Sequence, residues 1–87
     1  MALSQRRRLA MHYTARGTGE YSERTVSPQR LVYYRSNWLL DAWCHQRDEL
    51  RSFSLDAISR PVVLNEAATD VSPEELDQTL GNDGQLL

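Results

Sequence analysis

The sequence contains no lysine, a single cysteine (Cys44) and no basic residue after Arg60. One cysteine forbids an intrachain disulfide, and its lone presence points to a reducing, cytoplasmic setting. Long apolar runs are missing as well. The longest are a few residues, against the ~20 that a membrane-spanning helix needs, so no membrane partner is expected. The arginines at Arg6-Arg7-Arg8 are not followed by the apolar core of a secretory leader. Three prolines and four glycines in 87 residues, with 40% hydrophobic and 25% charged residues, exclude a fibrous or disordered chain. What remains is one small domain, too short for a two-domain enzyme with a large pocket of its own. A domain of this length buries only about two thirds of its unfolded surface, so its stability is expected to be modest.

The charge that is present is partitioned. All ten basic residues are arginines between Arg6 and Arg60, where six acids accompany them; residues 61–87 hold the other six acids. A basic body therefore precedes an acidic tail, with a net charge of −2. That pattern suggests an anionic partner, while the near-neutral total argues against a nonspecific DNA coat. Arginine's planar fork suits phosphates and stacks on bases. Codon bias in a GC-rich genome accounts for the same preference.

Residues 9–15 alternate with Leu9, Met11, Tyr13 and Ala15 on one side, the period of a half-buried strand. Residues 16–20 hold two glycines and read as a turn. Residues 21–27 read as a polar edge strand closed by Pro28. Residues 30–35 form the next strand, Ser36-Asn37 a tight turn, and residues 38–45 a strand with Trp38, Leu40, Ala42 and Cys44 on one face. Residues 46–49 turn into a strand at 50–54. Five short strands joined by hairpin-length turns predict a small, mainly β barrel. Residues 55–59 read as a short helical or 3₁₀ turn and 61–64 as a returning strand. Ser72-Pro73-Glu74-Glu75 supplies a cap, a proline at the first helical position and an acid at the third, so a helix is predicted from Pro73 to Leu80, stopped by Gly81. Residues 82–87 are expected to fray. The chain divides into a barrel domain over 1–66 and an acidic tail with a short helix over 67–87.

No catalytic constellation emerges, and no enzyme activity is expected. Cys44 and His45 are adjacent in a strand and point to opposite faces, so they cannot form a nucleophile–base pair. His12 is the other histidine that could meet Cys44 across the sheet, although a buried structural cysteine is the simpler reading. Two histidines and one cysteine show no metal spacing, and no cofactor motif is present. Glu74 and Glu75 suit a helix start. The remaining signal is arginine interleaved with aromatic residues on strands: Arg30 to Arg35 around Tyr33 and Tyr34, then Arg47, then Arg51 two residues before Phe53. Such surfaces hold nucleotides or single strands, phosphates on guanidinium groups and bases on rings. Each aromatic taken alone is also an ordinary packing residue, and Arg6-Arg7-Arg8 reads as a solvated lead-in to the first strand.

The stretch Ser27-Pro28-Gln29-Arg30-Leu31-Val32-Tyr33-Tyr34-Arg35-Ser36-Asn37-Trp38-Leu39-Leu40-Asp41-Ala42-Trp43-Cys44 resembles the core of the WYL domain, in which a proline precedes a hairpin carrying Trp-Tyr-Leu. Arg51-Ser52-Phe53-Ser54-Leu55-Asp56-Ala57-Ile58 is similar to the strand that follows it, and the resemblance covers about residues 6–64. It implies a five-stranded Sm-like, SH3-type barrel that senses a ligand within a bacterial transcriptional regulator. The implied partners are a nucleotide or single-stranded nucleic-acid effector and a helix-turn-helix domain elsewhere in the full-length protein. It further implies that Arg51 is a pocket arginine, with Arg24 and Tyr13 near it, and that Asp56 anchors a turn.

Three departures bear on the site. Leu39 stands where the family has tyrosine, Ser54 where it has a second arginine, and Ala57 where it has another. Two lost charge-assisted bonds weaken a phosphate site by orders of magnitude. Either the ligand is less anionic, or Arg30, Arg35 and Arg47 replace the missing cations, or the barrel serves as a dimerisation module. The expected ligand-binding residues are thus Arg51, Arg24, Tyr13 and Arg35, with positions Leu39 and Ser54. A homodimerisation or protein-interaction module, built on the 21–27 edge and Trp43, is the rival reading.

Overall fold

The computed structural model describes residues 6–15, 17–81 and 85–86. Among them, six strands make one antiparallel sheet: β1 (Arg7–Thr14), β2 (Tyr21–Tyr34), β3 (Asn37–Cys44), β4 (Glu49–Ser54), β5 (Ile58–Ala67) and β6 (Gln85–Leu86). One helix, α1 (Pro73–Leu80), follows β5. The order is β4-β3-β2-β1-β5, with β6 added to β2. The mainly β class with a short C-terminal helix is the expected one. The barrel, however, is not closed: β4 and β5 end the order on opposite sides and are linked by the 3₁₀ turn Leu55–Ala57.

The strands predicted at 21–27 and 30–35 are one strand, β2, and Pro28 does not end it. Its first part pairs with β1 as far as Val26↔Leu9, and its second pairs with β3 from Val26↔Cys44 to Tyr34↔Asn37. The register shifts between Pro28 and Arg30. Pro28 therefore sits past the last β1 partner and beside a bulge, where its missing N–H is tolerated. The same bulge resets the alternation. Val26 and Leu31 are an odd number of residues apart, yet both contribute to the core. The tight turn between β2 and β3 is Arg35-Ser36, one residue earlier than predicted, with both φ angles positive (49° and 65°) as a two-residue hairpin turn requires. Gly17 and Gly19 adopt φ of 87° and 68° in the loop after β1, closed by Ala15 N–H to Glu20 O at 2.8 Å.

The core is Met11, Val26, Leu40, Ala42, Cys44 and Phe53, with Leu9, Tyr13, Leu31 and Ile58 packed against it. All lie on one face of the bent sheet, as the strand period of two dictates. Helix α1 covers the other face and buries Leu76. It has its predicted bounds. Ser72 Oγ accepts from the Glu75 N–H at 3.2 Å, Pro73 opens the first turn, and Gly81 at φ 77° ends it. The chain leading to the helix is tied down: Thr69 N–H donates to Ser27 Oγ, and Val71 N–H to Gln29 Oε1, both at 2.9 Å. β5 is longer than the predicted 61–64. The predicted fraying of 82–87 is corrected at Gln85 and Leu86, which pair with Tyr33 and Val32 of β2; residues 82–84 and 87 lie outside the described residues.

Candidate functional site

Three of the expected site residues share the core face of the sheet. Arg51 in β4 lies opposite Ala42, two residues from buried Phe53. Arg24 in β2 lies opposite Met11, two residues from buried Val26. Tyr13 in β1 meets Phe53 edge to face, with ring centroids 5.0 Å apart. All three therefore lie on the side of the sheet that holds the core residues Met11, Val26, Ala42, Cys44 and Phe53, which are themselves fully buried. Arg24 donates from Nε to Ser22 Oγ (3.0 Å) and from Nη1 to Cys44 Sγ (3.4 Å), with no carboxylate partner among the described residues. Arg51 is 40% exposed, and its partner is Glu49, two residues earlier on the same strand. An exposed pair of that kind contributes ~0–1 kcal/mol and leaves the guanidinium available.

The other expected residues are elsewhere. Leu39 and Ser54 are cross-strand neighbours on the opposite, helix-facing side. Leu39 lines a cleft of ≈ 250 Å³ between sheet and helix, together with Val32, Tyr34 and Leu80. Ser54 Oγ donates to Asp56 Oδ1 at 2.7 Å, which ties Asp56 to the turn as an anchor. Arg35 occupies the hairpin tip, its guanidinium 5.1 Å from the centre of the Tyr34 ring. No single pocket gathers all six.

Arg30, a proposed replacement cation, is committed to structure. Its Nε donates to Asp41 Oδ2 at 2.6 Å, Nη1 to Asp77 Oδ1 at 2.9 Å, and Nη2 to the Gly81 carbonyl. Asp41 also accepts from Ser52 Oγ at 2.5 Å. Burial lowers the Arg30 pKa, and the bonds to Asp41 and Asp77 more than reverse that, so the group is held charged above its ordinary value. This network clamps α1 to the sheet. An aspartate alternating with apolar residues in β3 was its available signal, but Asp77 as the third member was not readable from spacing.

Two further polar groups escaped the sequence reading. His45 Nε2 is 2.8 Å from the hydroxyl of Ser27, which is fully buried. Since that hydroxyl already accepts from Thr69 N–H, it is free to donate to a neutral imidazole. Burial first, then the charge of Arg8, holds the His45 pKa below its ordinary value. Arg60 is the second. It lines a cleft of ≈ 210 Å³ over β1, β2 and β5, which Arg24 also borders. Cys44 meets Arg24 and Gln46 rather than either histidine, and His12 instead pairs with the Tyr21 hydroxyl. Among the described residues, no group of three or more histidines, cysteines or acids could hold a metal ion.

The model of the family described as the WYL domain matches residues 1–63. Over 46 residues, 53% of this chain, the sequence is 39% identical to the DNA-binding transcriptional repressor CapW of Escherichia coli. The matched part is 15% of that repressor's length. Among solved structures, proteasome accessory factor B/C (PafBC) of Arthrobacter aurescens superposes with a TM-score of 0.71 and 27% identity, over 90% of this chain and 11% of that one. The chain thus spans a small fraction of the length of the proteins it matches.

Proposed function

Since the chain belongs to the WYL domain family, we propose that it is the effector-sensing regulatory domain of a bacterial transcriptional regulator, with a nucleotide or short single-stranded nucleic acid as effector. The observation that carries this reading is the placement of Arg24 and Arg51 on one face of the sheet, neither bound to a buried carboxylate. Guanidinium groups in that state take phosphate oxygens, at about 1.5–3 kcal/mol per charge-assisted bond. Tyr13, half-buried on the same face, packs edge to face on Phe53. The helix-facing side, where Leu39 and Ser54 replace the family's tyrosine and arginine, has Arg30 neutralised by Asp41 and Asp77 and is the poorer anion site.

In this reading the signal passes to a helix-turn-helix domain elsewhere in the full-length protein, in keeping with the similarity to a DNA-binding repressor. The protein works in the cytoplasm and has no catalytic role. No helix among the described residues is long and apolar enough to cross a membrane. Titration with short single-stranded DNA and with mononucleotides at 50 and 200 mM salt tests the proposal. Saturable binding that weakens with salt and falls at least tenfold in Arg51→Ala is expected. Binding unchanged by Arg51→Ala and Arg24→Ala refutes it.

A dimerisation module is the second reading. Exposed Val62 and Val63 on β5 favour it, while Trp43 is half-buried and a weaker contact than the sequence suggested. Sedimentation at micromolar concentration separates the readings: a stable dimer without effector affinity selects the second.

A further inference from the structure

We propose that the cleft over β1, β2 and β5 is a binding site for a phosphate group, with Arg60 as its principal cation. The site shares Arg24 with the proposed effector face but not Arg51 or Tyr13, and it does not depend on the effector reading. His12, Glu23, Arg24, Thr25, Gln46 and Arg60 border it, over a floor that includes Ala10 and Val62.

The backbone at Arg60 is the first reason. Five described non-glycine residues have positive φ, and Arg60, at 50°, is the one inside a strand; the others lie in turns. It falls where β5 slips against β1, between the pairs His12↔Ser59 and Ala10↔Val62. A bulge of this kind re-aims a side chain, and glycine would occupy the conformation without strain. An arginine held there is strain kept at a site where its side chain has a use.

The second reason is the donor set. The Arg60 guanidinium, like those of Arg35 and Arg47 in the turns, has no polar partner among the described residues, and of the three it is the one that borders this cleft. Gln46 accepts the Thr25 N–H through Oε1 at 2.9 Å, which leaves its amide NH₂ as a donor. The Thr25 hydroxyl is likewise without a partner among the described residues. Guanidinium, amide and hydroxyl donors around one space suit a tetrahedral oxyanion. At ≈ 210 Å³ the cleft is smaller than the ~300–1,000 Å³ of sites for drug-sized ligands, so it accepts a head group and leaves a base outside.

Glu23 is the opposing charge. Its side chain is 79% exposed and stands 3.8 Å from His12 Nε2, so it can swing toward water but lowers anion affinity while it remains. Its removal therefore separates an anion site from a cation site.

The experiment follows backbone amide shifts of the 87-residue chain during titration with inorganic phosphate, 5′-AMP and adenosine at constant ionic strength. Phosphate and 5′-AMP are expected to shift Thr25, Gln46 and Arg60 saturably, and adenosine to leave them in place. Arg60→Gly, which suits the local backbone and keeps the fold, is expected to weaken phosphate at least fivefold without lowering the melting temperature. Glu23→Gln is expected to tighten it several-fold. Arg51 does not border the cleft, so Arg51→Ala should leave it unchanged, and the two sites are separated by Arg51→Ala and Arg60→Gly rather than by the shared Arg24. Equal phosphate affinity in Arg60→Gly, or weaker affinity in Glu23→Gln, overturns the proposal.

Discussion

Polar residues that two segments share hold this small molecule together, and each responds differently to substitution. Asp41 is 3% exposed and anchors both Arg30 and Ser52. Asp41→Ala strips Arg30 of its buried carboxylate and leaves half-exposed Asp77 as its remaining one, and a loss of about 3 kcal/mol is expected in urea unfolding. Asp77→Ala removes a contact that is half in water, and about 1 kcal/mol or less is expected. His45 sets a pH dependence. Its folded-state pKa lies below the ordinary value of 6.5, so between the two the unfolded chain binds a proton that the native state refuses. Stability is then full above about pH 6.5 and falls as acid is added through the depressed value. Urea midpoints from pH 5 to 8 check this, and His45→Gln should flatten that part of the curve. Cys44 and His45 on opposite faces could be read from strand alternation. The Ser27–His45 bond could not, because the partners are eighteen positions apart and meet through β2–β3 register.

At the level of elements, legibility followed local chemistry. The helix was readable to the residue because its cap, its first-turn proline and its stop all lie within ten positions. Ser72→Ala should cost about 1 kcal/mol, seen as faster amide exchange in α1 with the strands unaffected. β2 was misread as two strands because a proline usually ends one. Here a change of neighbour, from β1 to β3, removes the need for its N–H, and that change is a tertiary fact. Of the candidate site, Tyr13, Arg24 and Arg51 were singled out by the resemblance to the WYL domain; that they share a face depends on strand register, and Arg60 owes its direction to a bulge with no sequence mark. β5 also carries Pro61, a charged residue on either side of its apolar centre and two register shifts, features that discourage edge-to-edge pairing along its exposed side.

Across the whole molecule, the acidic tail acts on the basic body from within the fold. Arg6 pairs with Asp70, Arg8 with Glu66 and Arg30 with Asp77, each joining the two halves of the charge partition. Ending the chain at Ala67 would remove five acids and no base, turning the net charge of −2 into +3. That variant is expected to be less stable, since Leu76 and the Thr69 and Val71 tethers go with it, and to adsorb to heparin at salt concentrations where the full chain flows through. The same sheet has an unzipped seam. Its two lips, β4 and β5, share no strand pairing among the described residues and are joined in sequence by the 3₁₀ turn Leu55–Ala57. A cylinder slit along its length is stiff everywhere except in the direction that widens the slit. Since no ladder joins those lips, parting them would unpair no strand of the sheet.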